Sequence, residues 1–242
     1  MKESTLPLKI QNVLNSFCQR LAELYKENLI SVTLYGSAAS GEFVPGHSNL
    51  NLLVILNNAD LENLKPLTGL LNIWKFRTVH ALFFSEAYLK NSSDVFPIEL
   101  LDMKENYIVL RGKDILKGIS VDTKNLKFQC EQELKSKLIS LRQQYLKRNK
   151  DRIFLKHLLF KSFTSILHIL RNAIRLKGKA APYQKSDILN KVASQFGINK
   201  DAWGKILAAK NKEIRLNSAE LERLFIGLVK DLEKIVNFVD RF

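Results

Sequence analysis

The sequence predicts an α+β protein: an α/β domain with a small mixed sheet over residues 1–120, then an all-α helical bundle over residues 121–242. Three observations carry this. Up to about residue 118, short β-branched and aromatic runs alternate with helical periodicity. Beyond about residue 123 only long segments with a helical apolar period remain. The charge divides at the same place. Residues 1–120 hold 12 basic and 12 acidic residues, whereas residues 121–242 hold 26 and 12, the whole +14 of the chain.

Taken in order, "PLKIQNVLNSFCQRLAELYKEN" (7–28) spaces Ile10, Val13, Leu14, Phe17, Leu21 and Leu24 at threes and fours, an amphipathic helix. "LISVTLYG" reads as a strand stopped by glycine, and "NLNLLVIL" as a buried strand with an almost continuous apolar run. "NADLENLKPLTGLLNIW" reads as a loop and helix, "FRTVHALFF" as a third strand. "SEAYLKNSSDVFPIELLDMKENYIVLRG" reads as a helix, a loop and a shorter strand ending near Gly112. In the second half, one helix carries Leu134, Leu138, Leu141 and Tyr145 as a stripe, with Lys135, Lys137, Arg142 and Lys147 off it. The next, "DRIFLKHLLFKSFTSILHILRNAIRLKG", is apolar enough to be central, and Gly178 suits the position just past its end. Ser186 is placed to cap "DILNKVASQF" with Asp187 favouring the helix dipole, and "DAWGKILAAKNKE" is a short helix. Asn217 and Glu220 have capping-box spacing at the start of the last helix.

Composition narrows the class. At 242 residues, 46% hydrophobic and 26% charged, the chain has the make-up of a globular protein of two modest domains. No uninterrupted apolar run approaches the roughly 18 residues of a spanning helix, and "MKESTLPLKIQNVL" has no apolar leader region, so no membrane partner is expected. Cys18 and Cys130 are too few for a disulfide framework or structural zinc. These features predict a reduced, cytoplasmic chain. The basic half predicts a polyanion partner, nucleic acid or an acidic protein surface, against the alternative of a solvated lysine-rich face. The histidines at 47, 80, 157 and 168 have no metal-ligand spacing, and Trp74 and Trp203 read as packing residues.

The stretch with chemical content is "LYGSAASGEFVPGHSNLNLLVIL" (34–56). Gly36 lets the backbone approach a phosphate closely, Ser37 supplies a hydroxyl, and the following amides point at the same anion. Gly41 and Gly46 bracket the loop that leads to the next strand. There Asn49 and Asn51, two residues apart, leave on one face. Two carboxylates at that spacing, with a third on an adjacent strand, would hold two magnesium ions for nucleotidyl transfer.

Residues 30–56 thus resemble the nucleotidyltransferase superfamily of DNA polymerase beta: Gly-Ser, a glycine-containing spacer, then Asp-x-Asp on a strand. The order of elements is most similar to the minimal and kanamycin-type members, which carry a helical domain behind the catalytic one. The resemblance gives Gly36 and Ser37 the phosphate-cradling role and sets Asn49 and Asn51 on the two metal-ligand aspartates. The third carboxylate is expected near residues 76–84, where "FRTVHALFF" has no acid. His80 is the plausible ligand there; Glu86 lies just beyond, and Glu42 is a possible substitute from the loop. An asparagine carbonyl supplies no charge to a magnesium ion. The expectation is a catalytically degenerate nucleotidyltransferase with no catalytic residues, no metal ligands and no cofactor. Gly36, Ser37, Asn49 and Asn51 would line its remnant nucleotide or phosphate pocket. One alternative is an active enzyme that uses Mg²⁺ to transfer a nucleoside monophosphate to a small molecule or protein. Another comes from Arg152 and His157, whose spacing resembles the Arg-x4-His motif of HEPN-type ribonucleases.

Overall fold

A computed structural model describes residues 6–41, 43, 48–73, 76–178, 181–182 and 184–241. Glu42, Gly46, His47 and Trp74 lie outside the described residues. The chain divides into two compact units, Met1–Asp122 and Thr123–Phe242.

The first unit is built on four strands, β1 (Leu29–Tyr35), β2 (Leu50–Leu56), β3 (Val79–Ser85) and β4 (Tyr107–Gly112), in the order β3-β2-β1-β4. β1 is antiparallel to both β2 and β4, while β2 and β3 run parallel, so the sheet is mixed. Strand alternation gives it two apolar faces. Val32, Leu34, Leu50, Leu52, Val54 and Leu56 meet Leu14, Phe17 and Leu21 of α1 (Leu8–Tyr25), with Phe17 edge-on to Phe76 at 5.0 Å. Leu53, Ile55 and Phe84 point the other way. They are covered by Leu89 of α5 (Glu86–Asn91), Leu100 and Met103 of α6 (Pro97–Glu105), and the 3₁₀ turn around Leu116. The cover does not extend over the whole second face: His80 and Leu82 are exposed.

Two local readings are corrected here. The helix expected within "NADLENLKPLTGLLNIW" is two short ones, α3 (Leu61–Leu64) and α4 (Leu67–Leu71), because Pro66 between them has no amide to continue the ladder. α6 falls where a loop was expected; Pro97 stands at its first turn, a position where its ring is pre-set for the helix. Directly after β1 a single helical turn, α2 (Ser37–Ser40), is ended by Gly41 in the left-handed region.

The second unit contains α7 (Thr123–Arg148), α8 (Arg152–Leu176), α9 (Lys185–Phe196), α10 (Lys200–Lys210) and α11 (Ser218–Asp240). α8 is central, packing against the other four, and its later half is buried nearly all round, from Ile166 to Ile174. By length and composition α8 could also cross a membrane, and half of its apolar window is buried inside the protein. Gly178 follows its end with φ +66°. The capping box of α11 is complete: Asn217 accepts from the Glu220 amide and Glu220 from the Asn217 amide, both at 2.9 Å. Ser186 does not cap α9. The helix starts one residue earlier, at Lys185, with Gln184 as the flanking residue. Trp203 is fully buried, and its Nε1 donates to Asp231 Oδ2 at 3.0 Å. That carboxylate also accepts from the Asn199 amide and from Lys234, so a buried acid is satisfied three times over. Part of the basic surface is paired internally: Lys135 with Glu131 and Asp240, and Arg142 with Glu233.

Candidate functional site

β1 ends at Tyr35, and Gly36 then takes φ 77°, ψ −147°, a conformation essentially closed to side-chain-bearing residues. Its amide donates to Asn106 O at 3.1 Å, which ties the turn to the start of β4. Its carbonyl accepts from the amides of Ala39 and Ser40, which winds Ser37–Ser40 into a single turn. Ser37 is half-buried at the head of that turn. The fold itself therefore requires glycine at 36.

Pairing registers define what stands beside this turn. Tyr35 is opposite Asn51 on one side and Tyr107 on the other, and Asn51 is opposite His80. Residues in direct register share a face, so Tyr107, Tyr35, Asn51 and His80 form one row across the sheet. Tyr107 and Tyr35 pack against the core that α5 and α6 cover, Asn51 is half-buried, and the row is exposed at its His80 end. Gly36 and Ser37 follow Tyr35 directly, so the turn and the row share one end of the sheet. Asn49 is exposed and lies one residue ahead of β2 rather than within it. The Leu50 amide donates to Thr78 O at 2.7 Å, which keeps this approach to the strand extended along β3.

Tyr35, Asn51, Arg77 and His80 line a cleft of about 470 Å³ that continues over Leu71, Phe76, Val79, Ala81 and Leu82. No acidic side chain among the described residues lines it. Burial pushes the Tyr35 phenol above its ordinary range, so it is a neutral hydroxyl at physiological pH. An acid does reach the row, but from the far side. Asp114 accepts from the Tyr107 hydroxyl at 3.0 Å, and Tyr107 is two strands, roughly 10 Å, from Asn51. Burial first, then this carboxylate, raises the Tyr107 phenol as well.

The remaining sequence candidates separate. Glu86 opens α5, past the other end of β3, six residues from His80 and so roughly 20 Å along the strand. It pairs with Lys90 at 2.7 Å, and that contact lowers its pKa. Arg152 donates to Leu216 O at 2.8 Å, while His157 is exposed. Five residues apart on α8, they leave the helix roughly 140° apart. Among the described residues no group of three His, Cys, Asp or Glu side chains could hold a metal ion. A magnesium ion takes mostly anionic oxygens, and an amide, a phenol and an imidazole do not offer them, so the row does not fit that ion.

Sequence reasoning reached Asn51 and His80 but missed Tyr35, Tyr107 and Arg77. Tyr35 was visible beside Gly36. Tyr107 enters through the β1–β4 register, which no local pattern encodes.

No family model and no curated protein sequence matches the chain. Among solved structures it is similar to the crystal structure of spectinomycin adenyltransferase AAD(9) from Enterococcus faecialis with ATP and spectinomycin. The TM-score is 0.59 at 15% identity, over 92% of this chain and 99% of that one. The likeness is one of fold: a small mixed sheet followed along the chain by a helical unit.

Proposed function

We propose that this chain is a degenerate nucleotidyltransferase, which binds a nucleotide or phosphate group without metal-dependent transfer. In this reading Gly36, Ser37, Asn49 and Asn51 belong to the binding pocket, and the basic helical unit engages a polyanion or an acidic protein. The observation that supports it is the row Tyr35–Asn51–His80, whose side chains are a phenol, an amide and an imidazole; on the family resemblance, carboxylates would be expected at residue 51 and on the strand that carries His80. Without them the ions and the proton acceptor are lost together, and each such electrostatic contributor is worth several kcal/mol of barrier, roughly 3–4 for a single oxyanion donor. That a similar fold was crystallised with ATP supports a nucleotide as the ligand class.

The test is calorimetric titration of ATP with Mg²⁺ and with EDTA. The two affinities are expected to agree within about tenfold, or ~1.4 kcal/mol. A larger gain with metal would mean that a true metal site exists. The rival reading, an active transferase, draws on the fold likeness alone, and pyrophosphate release from ATP by the wild-type chain would establish it.

For the helical unit, affinity for a short RNA should fall steeply between low and physiological salt and depend little on sequence. Phosphate contacts dominate wherever a surface is basic and carries no recognition motif. Absence of binding at low salt would leave only the solvated surface.

A further inference from the structure

The mismatch between this cleft and a magnesium ion has a second side. A nucleoside di- or triphosphate brings three to four negative charges, roughly, and a site must compensate them with something. Carboxylates compensate them indirectly, by holding cations. Carboxylates without a metal would repel the phosphates outright. Here the lining is the reverse: Arg77 and His80 stand at the cleft, Tyr35 and Asn51 are neutral hydrogen-bonding groups, and no acid among the described residues lines it. His80 sits directly opposite Asn51, so a nitrogen that can donate occupies the strand position expected for the third acid. Arg77 lies three residues earlier, is exposed, and carries a permanent charge in a planar fork that matches phosphate oxygens in pairs.

We infer that this cleft takes the phosphate chain of a metal-free nucleotide, with the Arg77 guanidinium and the His80 imidazole bonding the oxygens that a metal would otherwise neutralise. This rests on the nucleotide-binding reading above and specifies how the same site binds. Within the cleft the Tyr35 hydroxyl and the Asn51 amide add further donors, and the Gly36–Ser37 turn follows Tyr35 directly. Leu71 and Leu82, both exposed in the remainder of the cleft, are there for contact with the nucleoside. On this assignment the replacement of aspartate by asparagine is functional. It removes the charge that would oppose an unescorted polyphosphate.

The experiment is titration in EDTA with three probes, ATP, inorganic tripolyphosphate and adenosine, against wild type, Arg77→Gln, Arg77→Lys and His80→Gln. Arg77 and His80 are exposed, so the variants should keep the wild-type melting temperature, and that is checked first. Wild type is expected to bind ATP and tripolyphosphate. Arg77→Gln should weaken both by about tenfold, His80→Gln by somewhat less, and Arg77→Lys should fall between wild type and Arg77→Gln. Adenosine affinity should be unchanged throughout. ATP binding in EDTA that is indifferent to Arg77→Gln and His80→Gln overturns the inference and leaves the nucleotide-binding reading intact. Wild type that binds none of the probes with or without Mg²⁺ overturns both. Binding that appears only with Mg²⁺ overturns the inference and returns the site to metal chemistry.

Discussion

Gly112→Ala should destabilise the sheet unit by about 3–5 kcal/mol, one of the largest losses available to a single methyl group. Gly112 closes β4 at φ +79°, paired with Ser31, and a Cβ there would sit 2.0 Å from Ile30 O and 2.9 Å from Ile30 C. Both are backbone atoms of the neighbouring segment, and the Lys113 amide donates to that same carbonyl at 3.3 Å. The methyl cannot be accommodated by a rotamer change; the β1–β4 ladder has to move. The measurement is thermal melting of the whole chain beside Gly178→Ala. Gly178 has a similar φ of +66° but open space where its Cβ would point. That control isolates the conformational strain, about 1–2 kcal/mol. If the two variants melt alike, the close approach of β4 to β1 is not as described, and Tyr107 loses its place in the row.

The second large effect is a gain. Asn49→Asp with Asn51→Asp should create divalent-ion binding without creating turnover. Asn51 lies in the row beside His80, and residue 49 lies two positions earlier on an extended approach held by the Leu50–Thr78 bond. Two carboxylates there leave on one side and can share an ion. In its absence their repulsion raises at least one pKa and lowers stability. Mn²⁺ at about a hundred times its dissociation constant would return ~2.7 kcal/mol, seen as a rise in melting temperature absent from wild type. Pyrophosphate release should still be missing, because the residue opposite Asn51 is His80, which supplies no carboxylate. A double mutant with no metal-dependent shift would mean that residues 49 and 51 face no common pocket.

What could be read in advance follows the range of the forces involved. Gly36 was legible because its backbone angles leave few other residues possible, and the capping box of α11 because it is complete within four residues. Asn51 and His80 were reached through the family resemblance, which expects a further ligand on the strand near residues 76–84; that they stand directly opposite each other comes only from the parallel β2–β3 register. Tyr107 could not. Its neighbour Tyr35 lies 72 positions away, and the β1–β4 ladder shifts register between Val32 and Thr33. Arg77 was passed over because a lone arginine between two strands has no pattern; only the cleft gives it a role. Ser186 was a reasonable cap that lost to its neighbours, since α9 begins one residue before it.

Trp203 gives the helical unit an optical signature of its own. An indole with no exposed surface, 5.7 Å from the Phe163 ring and bonded to Asp231, is shielded from water and is expected to emit at short wavelength. The other tryptophan, Trp74, belongs to the first half of the chain. A Trp74→Phe background therefore makes fluorescence report Thr123–Phe242 alone, while circular dichroism follows both units. Any separation between the two melting curves then measures how far the sheet and the bundle unfold as one.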